Sequence, residues 1–304
     1  MNAETSIMDP PAVDPLDLGP QTIVVHGAAG LQGGPVMRRL LADGFTVRAI
    51  TRHPDARRLP AAVTPVRADI GDVESLVAAY RGADGVYLQL PLEFDPVLAP
   101  RQAAAALEAL SRADVPQVVF NTSLGLTDRP VGQPFADARA LVVAGLGDAV
   151  GWATVTGPAA FYADNFLLDF SRRAIAAGRV EYPLPAAARV AWTAAADIGA
   201  VASRAFASDT PPMIRIVRGP QALTGHQVAA VLSEATGRPV AWETVEPDYY
   251  GDLLVPAVGP GAAAGIAASY AAPAEDPPEL PEEDVVTGET DLATWARAQD
   301  WDAA

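Results

Sequence analysis

The sequence predicts an α/β fold in which a doubly wound parallel sheet is followed by a smaller C-terminal region. Three observations support this prediction. Short apolar runs, typical of buried parallel strands, alternate with segments of helical periodicity through the first half of the chain. A glycine-rich turn at residues 27–33 follows the first apolar run directly. After Pro158 this regular alternation loosens.

The alternating segments define the order of the predicted elements. Residues 1–20 are polar and proline-rich and are predicted to form a disordered tail, residues 21–158 the sheet domain, and residues 159–304 the C-terminal region. Strands are predicted at 22–26, 45–50, 63–68, 86–90, 117–121 and 153–156. One helix follows the glycine turn and ends near Gly44, and the others are predicted at 72–80, 96–112 and 135–147. Strands and helices of these lengths imply right-handed βαβ units.

The C-terminal third is predicted to cap the carboxyl edge of the sheet and to form a substrate pocket. Its helices are expected at 161–177, 197–206, 225–236 and 290–301, with a strand at 213–217. Residues 256–290 are rich in Gly, Ala, Pro and acidic residues, so a long loop is expected there.

Composition excludes several kinds of function. The formal charge is −16, which disfavours binding to nucleic acid or to anionic membranes. The chain has no cysteine, and its three histidines lack metal-ligand spacing, so we predict no metal site. No apolar run reaches the length of about 18 residues that a membrane span needs, and no signal pattern is visible. A cytoplasmic protein is therefore expected.

The glycine turn predicts a dinucleotide site. Gly27 permits a tight turn, Gly30 lets the backbone approach a pyrophosphate, and Gly33 lets the helix pack closely on the strand. Leu31 and Gln32 open the helix, where free backbone N–H groups face the phosphates. We therefore expect a Rossmann sheet that binds NAD(P). The alternative is a purely structural turn.

The end of the second strand indicates which dinucleotide is preferred. An acidic residue there would bind the ribose 2′-hydroxyl of NAD, but the chain has Thr51, Arg52 and His53. Arg52 can stack on adenine and pair with a 2′-phosphate, so NADP(H) is predicted as the cofactor. The alternative is that Arg52 is a solvated charge.

Two further strand ends are predicted to line the cofactor. Asp69, after the third strand, is expected to bind the adenine amino group, and Ile70 to flank the ring. Leu90 and Pro91, after the fourth strand, are expected to border the adenosine ribose and the phosphates. Asn121, at the end of the fifth strand, is also assigned to the cofactor site.

Several segments resemble the NmrA-like family of atypical short-chain dehydrogenases/reductases. They are GAAGLQGG at 27–34, RAITRHP at 48–54, ADIGDVESL at 68–76 and GADGV at 82–86. Gln32 and Gly34 are features of that family, whereas Gly157 departs from its expected arginine. The resemblance covers about residues 21–250. It implies relatives that include NADPH-dependent quinone and dye reductases, isoflavone-type reductases and cofactor-sensing regulators without turnover.

The chemistry must work without the usual catalytic dyad of short-chain dehydrogenases. Those enzymes use Tyr-x-x-x-Lys, and this chain contains no lysine. Arg139 lies near the family's lysine position. It could hold the nicotinamide ribose, but it cannot donate a proton at neutral pH. A salt bridge on a helix surface is the alternative.

Four residues that follow the fifth and sixth strands are candidates for substrate contact. Ser123 could polarise a substrate oxygen, and Tyr162 could donate a proton. Phe161 and Asn165 would meet the substrate beside the nicotinamide, and Phe161 would also contact the cofactor. The alternatives are a turn cap for Ser123 and a packed aromatic ring for Tyr162.

Three functions are compatible with these residues. The leading hypothesis is an NADPH-dependent reductase of a quinone, an enone or another conjugated carbonyl, in a setting such as aromatic natural-product biosynthesis. The second is a non-catalytic NADP-binding regulator. The third is a redox-neutral cyclase or dehydratase that retains the cofactor. A small-molecule substrate is the expected partner, and a homodimer is an option that the sequence leaves open.

Overall fold

The structure is a computed structural model that describes residues 21–52, 59–126, 129–271 and 280–302. The predicted tail at residues 1–20 lies outside these ranges. In chain order the strands are β1 (Thr22–Val25), β2 (Thr46–Thr51), β3 (Val63–Arg67), β4 (Gly85–Gln89), β5 (Gln117–Asn121), β6 (Trp152–Pro158), β7 (Arg179–Tyr182), β8 (Val190–Ala191), β9 (Ile214–Arg218), β10 (Ala222–Leu223), β11 (Ala241–Thr244) and β12 (Val285–Thr287).

Helices connect these strands. In chain order the α-helices are α1 (Gly33–Ala42), α2 (Val73–Tyr80), α3 (Leu98–Arg112), α4 (Pro134–Ala149), α5 (Asp169–Ala176), α6 (Ala195–Phe206), α7 (Gly225–Thr236), α8 (Pro247–Val258), α9 (Pro260–Ala271) and α10 (Leu292–Arg297). Short 3₁₀ helices cover Ala163–Leu167 and Glu282–Asp284. No helix within the described ranges combines the length and apolar character needed to cross a bilayer.

Eight strands form one parallel sheet. Their order is β3-β2-β1-β4-β5-β6-β9-β12. Every strand pair in it is parallel. The winding direction reverses between β1 and β4, and ligands of such sheets bind beyond the carboxyl ends of the strands at this point. The predicted doubly wound parallel sheet is therefore confirmed.

Side chains alternate between the two faces of the sheet and build a core on each. Val24 faces α2, α3 and α4, whereas its neighbours Ile23 and Val25 face α1 and α6. The two helix layers leave the strands buried on both sides, which explains why they appear as continuous apolar runs. The glycine turn therefore follows a strand that is packed on both faces.

The predicted elements of the first half lie close to those observed. β5 has the predicted bounds, and the others differ by a few residues at their ends. Asp72, where this helix was predicted to begin, caps α2, because its carboxylate accepts hydrogen bonds from the backbone N–H groups of Glu74 and Ser75. Gly44, at a φ of 91°, lies just beyond α1 and reverses the chain.

The single helix predicted at 161–177 is wrong. The segment is a 3₁₀ turn followed by α5, with Leu168 in an extended conformation between them. The start of the segment is held outside helical geometry because Ala163 donates to the carbonyl of Thr193, whose own N–H donates to the carbonyl of Phe161. These bonds to Thr193, which lies just beyond β8, outweigh local helical propensity.

The long loop expected within 256–290 is also wrong in part. Residues Pro260–Ala271 form α9, and residues 285–287 form β12. Small side chains allow α9 to lie close to α8: a Cβ placed on Gly251 would be 3.0 Å from the Cβ of Ala267. The Gly and Ala content that suggested a loop therefore serves close helix packing.

The chain beyond residue 158 contributes both to the main sheet domain and to a separate aromatic core. β9 and β12 extend the main sheet, and α6 packs on α1. The remaining elements surround a third core, rich in aromatic rings, with small sheets made by β7 with β11 and by β8 with β10. The sequence prediction of one C-terminal region after residue 158 did not separate these two parts.

Candidate cofactor and active site

The glycine turn has the geometry that a bound pyrophosphate needs. Gly27 adopts a φ of 64°, and its carbonyl accepts a hydrogen bond of 2.8 Å from the backbone N–H of Gly30. α1 begins at Gly33, where a Cβ would lie 2.7 Å from the carbonyl oxygen of His26. Leu31 and Gln32 complete the turn. The helix therefore starts against the strand with its first N–H groups directed at the sheet edge.

The sequence did not predict a contact between the side-chain amides of Gln32, in the glycine turn, and Gln89. Gln89, the last residue of β4, donates from Nε2 to Oε1 of Gln32 at 2.8 Å. The Oε1 atom of Gln89 is buried and has no hydrogen-bond partner among the described residues. It would lie 3.5 Å from a Cβ on Gly27. A buried acceptor without a partner, at this position, fits a ligand hydroxyl. Only its place at a strand end could have indicated it.

The side chain of His26, directly after β1, is a buried and neutral imidazole. The ring nitrogen Nε2 is 2.8 Å from the hydroxyl of Tyr80. Burial lowers the pKa of His26 to about 4, so the ring is uncharged at neutral pH. His26 therefore supports the turn without adding charge to it.

An open recess of about 510 Å³ lies at the ends of β2 and β3. It is lined by Arg52, Arg67, Ala68, Asp69, Asp72 and Ser75. Arg52 and Asp69 were predicted to bind adenosine, and they do face one space. Ile70 packs against the core beside it, and Thr51 ends β2. His53 lies outside the described residues. Arg67 was not predicted.

Arg139 does not lie on the helix surface. Its side chain is 1% exposed, so the surface salt bridge considered as an alternative is wrong. Its guanidinium donates to the carbonyls of Thr122 (2.6 Å), Phe135 (2.9 Å), Leu90 (3.0 Å) and Pro91 (3.4 Å). Four of its five N–H groups are thereby engaged, so the predicted contact with the nicotinamide ribose stays a prediction. In the structure Arg139 ties together the loops that follow β4 and β5.

Aromatic rings complete the surroundings of Arg139. Its Cζ lies 3.5 Å from the ring centroid of Phe135, and Phe94 stacks on the other side at 5.2 Å between centroids. Gly265 of α9 lies against Phe94, in a space that a Cβ would fill. Burial lowers the pKa of Arg139 to about 9, which leaves it charged at neutral pH. Through Phe94 the C-terminal part of the chain touches the loop after β4.

The end of β5 carries polar atoms without partners. Asn121 accepts at Oδ1 from the backbone N–H of Ser123 (2.9 Å) and from the hydroxyl of Tyr162 (3.1 Å). The Nδ2 of Asn121 and the Oγ of Ser123 are buried and unpartnered among the described residues. Ser123 also holds a φ of 63°, a left-handed conformation that costs energy for a residue with a Cβ. Neither atom is paired within the protein, which is the state expected of groups that bind a ligand.

Tyr162 is less available than Ser123. It is 2% exposed within the core that faces α1 and α6, and its hydroxyl is committed to Asn121. Burial raises its pKa above the ordinary value, so it stays protonated. This geometry favours the alternative of a packed aromatic ring over a proton donor.

Phe161 and Asn165 border an aromatic cluster. Phe161 stacks on Tyr270 with centroids 5.7 Å apart, and Asn165 donates from Nδ2 to the hydroxyl of Tyr182 at 3.3 Å. The hydroxyl of Tyr270 is 3.0 Å from that of Tyr182. Trp192 lies 5.8 Å from Phe161 between centroids, and its Nε1 is buried without a partner among the described residues. The chain scatters these rings over more than 100 positions, so no sequence pattern revealed the cluster.

A second cleft of about 500 Å³ separates the glycine turn from the C-terminal elements. Arg38 of α1 and Asp164 of the 3₁₀ turn line it. The carboxylate of Asp164 accepts from the backbone N–H of Ala195 at 2.8 Å, at the start of α6. Burial nevertheless raises the pKa of Asp164 to about 6. No sequence pattern indicated a role for this carboxylate.

These features fit a dinucleotide. The glycine cradle leaves no room for a Cβ at Gly33, and the unpartnered atoms of Gln89 and Asn121 lie at the ends of β4 and β5. No group of three or more His, Asp or Glu side chains in the described ranges could hold a metal ion.

Fold and site together define a Rossmann-type dinucleotide-binding protein. A model of the NmrA-like family matches residues 19–274. An NAD(P)H azoreductase from Xenophilus azovorans is 33% identical over 232 residues, which are 73% of this chain and 77% of the relative. This chain therefore belongs to the NmrA-like family, as its sequence motifs predicted.

Solved structures share the fold. The NADPH-dependent quinone oxidoreductase of Escherichia coli, complexed with NADPH, is 24% identical with a TM-score of 0.60, over 82% of this chain and 87% of that one. The triphenylmethane reductase of Citrobacter sp., complexed with NADP(H), is 20% identical with a TM-score of 0.64, over 86% and 93%. At these identities the likeness is one of architecture.

Proposed function

We propose that this chain is an NADPH-dependent reductase of quinones, enones or other conjugated carbonyl compounds. The observation that carries the proposal is the set of buried polar atoms without partners at the ends of β4 and β5: Gln89 Oε1, Asn121 Nδ2 and Ser123 Oγ. Gln89 ends β4, at the switch point of the sheet beside the glycine turn, and Asn121 and Ser123 lie at the end of the next strand, β5. Family membership and the NAD(P)H azoreductase relative support a redox role.

NADPH is favoured over NADH by the charge at the end of β2. The side chain there is Arg52, which lines the adenosine recess, and no acidic residue follows Thr51 directly. The reduced nicotinamide, when bound, supplies hydride to the acceptor. The residues of this chain then have two tasks, to orient the acceptor and to stabilise the negative charge that forms on its oxygen.

Ser123 is the residue best placed for the second task. Its Oγ is buried and has a hydrogen to donate. The backbone of Ser123 is held in place because its N–H donates to Oδ1 of Asn121. Donation to the developing oxyanion stabilises the transition state without proton transfer from the protein. The hydroquinone-type anion that results acquires its proton from water, so a lysine-supported tyrosine is not required. The aromatic rings beside Phe161 offer a wall for a flat acceptor.

The experiment follows NADPH oxidation with a panel of benzoquinones, naphthoquinones, an enone and an azo dye. We expect turnover with at least one acceptor, and a loss of about 100-fold in kcat/KM for Ser123→Ala with the Kd for NADPH unchanged. Ser111→Ala, on the exposed surface of α3, is the control and should retain full activity. Tight NADPH binding without turnover of any acceptor would overturn the proposal and favour a cofactor-binding regulator.

A further inference from the structure

The ends of β2 and β3 place two arginines side by side. In the parallel register Thr51 is opposite Arg67, and neighbouring strands lie about 5 Å apart. Arg52 follows Thr51 directly, so its backbone is one residue beyond this pair. β3 is the outer strand of the sheet, and both guanidinium-bearing side chains are exposed and line the recess of about 510 Å³. The recess thus contains two cations rather than the one that the sequence pattern indicates.

The two carboxylates that line the recess accept hydrogen bonds from backbone N–H groups rather than from the arginines. Asp69 accepts a hydrogen bond of 2.8 Å from the backbone N–H of Gly71, and Asp72 caps the N-terminus of α2. None of the ion pairs among the described residues includes Arg52 or Arg67. Asp69 and Asp72 balance the formal charge of the two arginines in this recess, but neither arginine is held in an ion pair among the described residues. Both guanidinium groups can therefore turn to an anionic ligand.

We propose that Arg67, together with Arg52, binds the 2′-phosphate of the adenosine ribose and so sets the preference for NADP(H) over NAD(H). A phosphate monoester carries nearly two negative charges and three acceptor oxygens, which suits two guanidinium groups better than one. NADH places a neutral hydroxyl there and gains little from either arginine. The inference rests on the proposed use of NADPH and adds the residue on β3 that completes the site.

The test compares ligands that differ only in this phosphate. Dissociation constants for NADPH, NADH, 2′,5′-ADP and 5′-AMP are measured by calorimetry for the wild type, Arg67→Ala, Arg67→Lys and Arg52→Ala. We expect Arg67→Ala to weaken NADPH and 2′,5′-ADP about 10- to 100-fold and to change NADH and 5′-AMP less than twofold. Arg67→Lys should recover part of the loss. Arg101→Ala, on the exposed face of α3, is the control.

The outcomes separate this inference from the function on which it rests. If Arg67→Ala weakens all four ligands equally, or none, the role of Arg67 at the phosphate is overturned. If Arg52→Ala alone removes the preference for NADPH, this inference fails while the proposed reductase stands. If the wild type binds neither dinucleotide, the proposed function fails, and this inference with it.

Discussion

Arg139 faces the sheet from α4, and its guanidinium joins two loops to this helix. It binds the carbonyls of Leu90 and Thr122, which follow β4 and β5, while stacking on Phe135. Its charge is satisfied by four carbonyl dipoles rather than by a carboxylate, which is how a buried cation is tolerated. Ser123 follows one of these carbonyls directly, so Arg139 positions the proposed catalytic hydroxyl.

Replacing Arg139 should reduce stability in a graded way. Arg139→Met leaves loop carbonyls without donors and is expected to lower the free energy of unfolding by about 3–5 kcal/mol. Arg139→Lys keeps a charge but cannot reach all the carbonyls or stack flat on the ring, so we expect a loss of about 1–3 kcal/mol. Urea unfolding measures both. The exposed Arg101→Met should stay within about 0.5 kcal/mol of the wild type, and equal losses in all three variants would contradict the assigned role.

The glycine turn and α1 act as one element. Gly33 and Gly34 are neighbours in the first turn of the helix, but their surroundings differ. A Cβ on Gly33 would lie 2.6 Å from the backbone carbon of Gly27, whereas a Cβ on Gly34 meets its nearest atoms at 3.4 Å. The closeness of helix and strand, which aims the first N–H groups at a pyrophosphate, therefore depends on one of the two glycines.

These two positions give a matched pair of variants. Gly33→Ala must push α1 away from β1, so we expect NADPH binding to fall more than 100-fold and stability to fall by about 2–3 kcal/mol. Gly34→Ala should preserve binding and could raise stability by up to about 1 kcal/mol, because alanine favours helix. Calorimetry and thermal unfolding report the two quantities. Normal binding by Gly33→Ala would refute the account of the turn.

The sequence predicted elements well where a local pattern decides them, and poorly where distant contacts do. The strands and caps of the first half follow from apolar periodicity and from residues such as Asp72, so their positions were available from the chain alone. The break at Leu168 and the helix α9 depend on partners far along the chain. The same holds in the site: the glycines were predictable, whereas Gln89 and Arg67 become meaningful only when strand ends meet.

At the scale of the whole molecule, two buried groups couple stability to pH in opposite directions. The native pKa of His26 is lowered to about 4, so the unfolded chain binds more protons between pH 4 and 6.5, and this group favours folding as pH rises. The native pKa of Asp164 is raised to about 6, so the native chain binds more protons between pH 4 and 6, and this group opposes folding as pH rises. Over the shared interval the two contributions largely cancel.

Single variants should reveal how each group changes the free energy of unfolding with pH. The stability difference between wild type and His26→Gln is expected to grow by about 3 kcal/mol from pH 4 to 6.5. The difference between wild type and Asp164→Asn should shrink by a similar amount from pH 4 to 6, because the wild type then carries a buried charge. Urea unfolding at intervals of half a pH unit measures both. Profiles that run parallel to the wild type would show that neither group is linked to folding.

β9 and β12 return the chain to the main sheet after each excursion into the C-terminal elements. Between β6 and β9 and between β9 and β12 the chain leaves the sheet and rejoins it, and α6, within the first segment, packs on α1 beside the sheet. Surface segments held between fixed ends tolerate changes in length and sequence better than the elements that hold them. The parts of these two segments outside α6 can therefore be exchanged to reshape the substrate pocket without displacing the glycine turn.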